Sequence, residues 1–384
     1  VYTWAAPIMD AIEGGFTALG EWVGANMAPG ILNDLLVNGV IAGLGSVLVF
    51  LPQITILFAF ILLLEDSGYL PRAAFLLDNL MAKSGLSGRS FIPLLSSFAC
   101  AVPAVMSART INDPRERLVT IAVAPLLTCS ARLPVYALII AAVIPNRTVG
   151  GIFNLQGLTL FILYLAGILS AALAAYIMKR LARMKGNVQQ FPLLMELPTF
   201  RTPNFKHIMT SLWDRVKAFL KRAGTIIFAL AVVLWGLVSW PQPPAGATGA
   251  AIDYSLAGML GHAIQPLFAP LGFTWEMCIA MIPGIAAREV VVAALGTVYA
   301  VSASSEDAVQ NALIPIVHNN WGLPTAFAFL AWYVYAPMCA ATLAVIKRET
   351  KSTKNMVMIT GYLFLMAYFA AFVVYQISSR ILSS

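Results

Sequence analysis

Charge is what this chain has least of. Only 11% of its 384 residues are Asp, Glu, Lys or Arg, where a soluble domain carries roughly a quarter. With 60% hydrophobic residues and a mean hydropathy of +0.82, that scarcity excludes an ordinary water-soluble fold and leaves an integral membrane protein. Histidine is rarer still: His207, His262 and His318 stand far apart, with no HExxH spacing, so a zinc hydrolase site has no support. No glycine-rich loop ends in Lys-Ser or Lys-Thr, so the chain has no nucleotide-binding loop and any energy coupling must come from elsewhere. Its four cysteines all lie in apolar runs, poorly placed for the disulfides that staple small secreted domains, and they read as free thiols. No signal peptide is evident, and a first residue of Val1 suggests part of something longer.

What is present is a series of apolar runs near or above the roughly 18 residues that cross a bilayer. Seven are clear: Asn38–Leu64, Phe91–Ala108, Leu118–Ile144, Leu155–Met178, Ala223–Trp240, Trp321–Ile346 and Met356–Ile377. Leu256–Trp275 and Met277–Ala303 are long enough but contain breakers or charges. Residues Val1 to Asn33, with Asp10, Glu13 and Glu21 interspersed, suit an interfacial amphipathic helix. The net charge of +7 is topological. Lys179 to Arg222 and Lys347 to Lys354 are rich in Lys and Arg, whereas the linkers 241–255 and 304–320 have none, which places the first two in the cytoplasm and excludes nucleic acid as the partner. Within the first of these, the proline-rich stretch Phe191–Pro198 reads as an extended linker and His207–Arg222 as a basic amphipathic helix. Asp113-Pro-Arg-Glu116 reads as a helix start, with a capping Asp, a Pro at the first position and a Glu that reaches back.

One pattern occurs twice. An apolar stretch carries a cysteine, meets a proline and ends on an arginine: Cys100, Pro103 and Arg109 in one half, Cys278, Pro283, Gly284 and Arg288 in the other. Each is followed by an Ala-Pro pair and another cysteine, Ala124-Pro125 with Cys129 and Ala336-Pro337 with Cys339. Two halves with interrupted apolar segments at matching places are the signature of a transporter whose substrate lies between them. Proline frees a carbonyl one turn earlier, and such backbone is tolerated at membrane depth only where protein buries it or a cavity needs it. A thiol suits late first-row divalent ions and Cu(I) better than Na⁺ or Mg²⁺, so a metal ion is the first substrate to consider. The candidate ligands are Cys100, Cys129, Cys278 and Cys339, with Glu289, Glu65 and Asp66 as carboxylates and Pro103, Pro283 and Gly284 as the gate breaks. Each has a plainer reading: cysteine as a small buried hydrophobe, proline as a simple kink, Glu289 as the partner of Arg288 or Arg132, and Glu65 and Asp66 as interfacial charges.

The motifs Phe50-Leu-Pro-Gln53, Leu64-Glu-Asp-Ser-Gly-Tyr69, Arg72-Ala-Ala-Phe75, Ser97-Phe-Ala-Cys-Ala-Val-Pro-Ala104, Pro114-Arg-Glu-Arg117, Ala124-Pro-Leu-Leu-Thr-Cys-Ser-Ala-Arg-Leu133, Met195-Glu-Leu-Pro198 and Ala287-Arg-Glu-Val-Val-Val292 resemble the membrane domain of the FeoB ferrous iron transporters. The resemblance runs from about Asn38 to the end. It implies an all-α polytopic protein of about 8 transmembrane helices, built on two pseudo-repeated gate domains of nucleoside-transporter type with interrupted helices. It implies Fe²⁺ as the transported substrate, with Cys100 and Cys129 on its path and Glu65, Asp66 and Glu289 as carboxylate partners. It also implies a bacterial inner-membrane location, GTP acting only through an N-terminal cytoplasmic GTPase domain of the same protein that these residues do not include, small accessory Feo proteins and a homo-oligomer as further partners, and contact with membrane lipid. The C-terminal Ser378-Ser-Arg-Ile-Leu-Ser-Ser384 lacks the cysteines some members carry there.

On this reading residues 1–36 form the interfacial helix, 37–145 the first gate, 146–222 a middle region with the cytoplasmic linker, 223–346 the second gate and 347–384 a last transmembrane helix. The rival readings are a nucleoside or proton-coupled carrier on the same gate fold, which would want Asn, Gln and aromatics at the breaks, an intramembrane enzyme with Cys100 as nucleophile, which would want a nearby base, and a scaffold that docks a partner through 179–222.

Overall fold

The structure is a computed structural model that describes residues 2–83, 86–149, 153–183, 200–241, 254–286, 288, 290–299, 306–337 and 339–383. The fold is all-α; the β-structure among those residues is one two-stranded ladder, β1 (Thr148–Val149) against β2 (Phe153–Asn154). Helix α1 (Tyr2–Asn26) lies along a helical run from Ile31 to Asp66. That run consists of α2 (Ile31–Asp34), a π-helical stretch over Leu35–Ile41, α3 (Ala42–Val49) and α4 (Leu51–Asp66). Pro52 costs the run little because it sits in the first turn of α4, where its missing N–H is not needed. Gly39 and Gly43 let this run approach another helix closely: a Cβ at Gly39 would touch Trp235, and one at Gly43 would touch Ala231 and Phe228.

The order of elements then repeats. In the first half, α5 (Tyr69–Lys83) and α6 (Phe91–Ser97) form a hairpin, α7 (Ala101–Ser107) follows after three residues, and α8 (Pro114–Val123) and α9 (Leu133–Val143) flank an interruption. Helix α10 (Leu155–Arg183) connects the halves; it exposes Phe161, Leu165, Leu169 and Leu173, the expected face of a helix against lipid. Helix α11 (Phe205–Phe219), capped by Asn204 Oδ1 accepting from the amides of Lys206 and His207, runs through a second π-helical stretch, Leu220–Gly224, into α12 (Thr225–Ser239). In the second half, α13 (Leu256–Phe268) and α14 (Trp275–Ala286) form the hairpin, α15 (Val290–Val298) follows, and α16 (Glu306–Asn320) is added. Then α17 (Leu323–Tyr335) and α18 (Ala340–Thr350) flank an interruption, and α19 (Thr353–Ser383) packs along α17.

Several expectations change. Phe91–Ala108 is not one span but two seven-residue helices with Cys100 extended between them. Leu256–Trp275 and the start of the next run form a pair bent by 107°. The segment 304–320, read as a linker, holds α16. Among the described residues five helical runs are long and apolar enough to cross a membrane, or six counting the bent pair. Interruption divides Phe91–Ala108, because apolar composition reports depth in the membrane and not whether one helix covers it. Phe191–Pro198 and Met195-Glu-Leu-Pro198 lie outside the described residues.

The core has two main parts. One gathers α9, α14, α15, α16 and α17 around Val135, Leu138, Met277, Leu295 and Phe329. The other gathers α7, α8, the interruption after it, α10 and α18 around Val105, Ile121, Leu126 and Ile346. Each mixes helices of both halves, so neither half buries its apolar face alone.

Candidate functional site

The first interruption lies at Phe98–Cys100. Helix α6 ends with the amides of Ala99 and Cys100 both donating to Ser96 O, at 3.1 and 3.0 Å, and Cys100 turns to extended geometry as the residue before α7. Ala99 O has then lost its helical partner. It accepts from Ser130, whose amide lies at 3.4 Å and whose Oγ lies at 3.1 Å. The two interruptions of the first half are therefore tied together, and Cys100 and Cys129 stand beside the two ends of that tie.

The second interruption runs from Ala124 to Arg132. Pro125 cannot donate, and Leu127 and Cys129 are extended, so a set of carbonyls is left over. Arg132, fully buried, takes them: Nη2 donates to Pro125 O at 2.9 Å, and Nη1 to Leu126 O at 3.4 Å and Leu127 O at 3.3 Å. The planar fork of a guanidinium suits this task, since it presents several donors in fixed directions. Each of these three carbonyls therefore accepts from the guanidinium. Gly167 of α10 presses on the same turn, where a Cβ would come within 3.1 Å of Leu126 O and 3.3 Å of Thr128 Oγ1.

The second half repeats the device with different residues. Between α14 and α15, Arg288 is buried; its carbonyl accepts from the Tyr333 hydroxyl and its Nη2 donates to Ala336 O at 3.3 Å. Ala336 ends α17, and Cys339, extended, precedes α18 as Cys100 precedes α7. Cys339 lies within electrostatic range of Cys129, Arg288 and Thr342. Cys129 in turn lies within range of Tyr136 and Tyr164.

Three of the four thiols thus occupy interruptions: Cys100, Cys129 and Cys339. Cys278 does not. It is a buried residue inside the uninterrupted α14, packed in the core part that contains Val135 and Phe329. Element order shows why the sequence pairing slipped. Cys129 and Cys339 do correspond, but Cys100 corresponds to the junction between α14 and α15, not to Cys278. The breaks slip likewise: Pro103 is the third residue of α7, while Pro283 and Gly284 lie within α14, so helix ends fall near these residues and not at them. A proline in a first turn needs no donor, which is why Pro103 starts a half-helix without interrupting it.

The carboxylates are elsewhere. Glu65 and Asp66 end α4 and face α11 and its capping residue: Glu65 Oε2 accepts from Arg215 Nη2 at 3.0 Å, and Asp66 Oδ2 accepts from the Asn204 amide at 2.6 Å. Glu289 lies outside the described residues. Among the described residues no three His, Cys, Asp or Glu side chains come together as a metal-holding group. Glu116, expected to reach back to its own helix start, instead accepts from the Ser87 amide and from Ser90 Oγ at 3.2 Å, while Asp113 caps Arg115 as expected at 2.9 Å. Sequence reading missed the carbonyl-binding roles of Arg132 and Arg288 and the contribution of Tyr333. An arginine inside an apolar run was the available signal, and it points to buried acceptors as readily as to an acid.

Residues 47–143 and 220–353 match the Gate family, described as nucleoside recognition. Residues 160–215 match FeoB_C, described as ferrous iron transport protein B C terminus. A protein of Leptospira interrogans named Fe(2+) transporter FeoB is 41% identical over 391 residues, covering 98% of this chain and 55% of that protein. One of the same name from Leptospira biflexa is 40% identical over 385 residues, with the same coverage of 98% and 55%. Another from Staphylococcus aureus is 40% identical over 347 residues, covering 90% of this chain and 49% of that protein. The chain spans about half the length of the curated relatives it matches. No solved structure matches.

Proposed function

Since this chain belongs to the FeoB family, of which it forms the gate-bearing membrane part, we propose that it carries Fe²⁺ across the bacterial inner membrane, between two pseudo-repeated gates at about 37–145 and 223–346. The observation that carries this reading is the placement of Cys100, Cys129 and Cys339 at helix interruptions of the two halves, two of them as the residue before a half-helix. Thiols there replace part of the ion's water with softer ligands, which favours a late first-row ion over Na⁺ or Mg²⁺. Arg132 and Arg288 hold the interruptions open by binding their spare carbonyls. Their charge also keeps a divalent ion from settling, and conduction needs a site weak enough to leave. Glu289, beside Arg288 in sequence, is the carboxylate proposed to offset that charge. Glu65 and Asp66, bound to the segment before and within α11, act as anchors for it and leave the ion to the thiols.

The nucleotide step belongs to a cytoplasmic GTPase domain of the longer protein, acting on the gates through the basic 179–222 region, with small accessory Feo proteins and a second copy as further partners. The test is anaerobic Fe²⁺ uptake by the full-length protein in proteoliposomes, with Cys100→Ser, Cys129→Ser, Cys339→Ser and Cys278→Ser compared with wild type. Loss of uptake in the first three at unchanged thermal stability, with Cys278→Ser unaffected, is expected. Normal uptake by a protein carrying both Cys100→Ser and Cys129→Ser would remove the thiols from the path.

A further inference from the structure

Away from the interruptions, at the distal ends of α7 and α18, an open cavity of about 600 Å³ is lined by Arg109, Arg117, Arg348, Glu349 and Lys351. Four cationic side chains face one carboxylate, so the lining carries a net charge of +3, four minus one. The carboxylate is already used. Glu349, its side chain 2% exposed, accepts from Arg109 Nε at 2.6 Å and Nη2 at 2.5 Å, and from Arg117 Nη2 at 3.4 Å; Arg117 Nη2 also donates to the Glu349 carbonyl at 3.0 Å. A guanidinium has five N–H donors, so these bonds fix both arginines while leaving donors over. Arg109 remains about half exposed. Arg348 and Lys351 are exposed and have no carboxylate partner among the described residues.

The geometry points to this cavity as a binding site for a phosphate-type anion. Oriented guanidiniums match phosphate oxygens in paired hydrogen bonds, and Lys351 adds a point charge from a left-handed turn at φ 48°. Arg109 and Arg117 come from the first half, and Arg348 and Lys351 from the second, so an occupant bridges the halves. The site lies on the side the charge asymmetry assigns to the cytoplasm, where the phosphate can belong to a lipid headgroup or to a soluble molecule. The inference stands on the cavity's own charge and is independent of the iron reading.

The test measures thermal unfolding of the full-length protein in neutral detergent with increasing inorganic pyrophosphate, and in vesicles of phosphatidylcholine with and without phosphatidylglycerol. Wild type is compared with the double variant Arg348→Gln, Lys351→Gln and with Lys351→Gly, which suits the left-handed turn and removes the whole Lys351 side chain. A saturable rise in melting temperature in wild type, with at least about tenfold weaker apparent affinity in the double variant, is expected. A rise with pyrophosphate assigns a soluble phosphate, and a rise with phosphatidylglycerol alone assigns a headgroup. No rise with either, or equal rises in all three proteins, overturns the site.

Discussion

Arg109 and Glu349, 240 positions apart in sequence, form a two-pronged ion pair. Arg109 follows the end of α7 and Glu349 lies in the last turn of α18, and each of these half-helices is preceded by a cysteine, Cys100 and Cys339. The same two half-helices pack on each other, so the pair closes the end opposite the thiols. Donating hydrogen bonds to Glu349 raises the Arg109 guanidinium above its already high usual range, outweighing the lowering effect of burial. Protonation stabilises the folded pair at every usable pH and would be lost only on strong alkalinity.

Removing the two partners is not equivalent. Arg109→Ala leaves a buried carboxylate with only the longer Arg117 contact and is expected to cost about 1–3 kcal/mol, discounted because Arg109 is half exposed. Glu349→Gln leaves two cations that already reach water and is expected to cost under about 1 kcal/mol. Melting temperatures in detergent decide this, and equal losses would refute the asymmetry.

Arg132 is the residue whose loss should damage the fold most. Arg132→Met strips donors from three carbonyls, those of Pro125, Leu126 and Leu127, at a cost on the order of 3–5 kcal/mol. Arg132→Lys keeps the charge but presents one compact ammonium to three acceptors, and is expected to recover less than half. Monodisperse yield and melting temperature are the readouts; a Lys variant as stable as wild type would show that charge alone suffices.

Two glycines of one helix provide a matched pair. A side chain at Gly167 meets Leu126 O and Thr128 Oγ1, whereas one at Gly157 meets nothing within 4 Å. Gly167→Val should push α10 off the second interruption and reduce Fe²⁺ uptake at least about tenfold, as expected for small-residue contacts between membrane helices. Gly157→Val should leave uptake near wild type. Similar uptake by both would mean that α10 does not position the Thr128–Cys129 turn.

Gly272, at φ 73°, turns the chain between α13 and α14 directly under the ring of Tyr375 on α19. Gly272→Ala adds a left-handed strain of about 1–2 kcal/mol and a collision with that ring. The expected result is earlier protease cleavage in α19, followed by mass spectrometry of the fragments. An unchanged digestion pattern would show that the ring moves aside without cost.

The sequence made the composition-level facts legible. The membrane class follows from the shortage of charge, and the cap of Asp113 from local chemistry that neighbours a few residues away decide. The existence of a repeat and the match of Cys129 with Cys339 were also visible. Reading a proline as the point of a break missed at Pro103, which sits in a first turn where its missing donor is not needed, and at Pro283, which lies inside α14 while the helix runs on to Ala286.

Which cysteines belong together was decided by the tertiary structure. Cys278 and Cys339 look alike in sequence, each apolar-flanked and near a proline, yet one lies inside α14 and the other before α18. Likewise, no local signal tells whether a buried arginine faces an acid or a carbonyl. Arg132 binds carbonyls five to seven residues back, Arg288 one 48 residues on, and Arg109 a carboxylate 240 away. Local sequence determines where a helix starts and how deep it sits, since those depend on neighbours within a turn. Partners of the groups left over at an interruption are chosen by packing of both halves, because a polar group at membrane depth must bind whatever the completed fold brings to it.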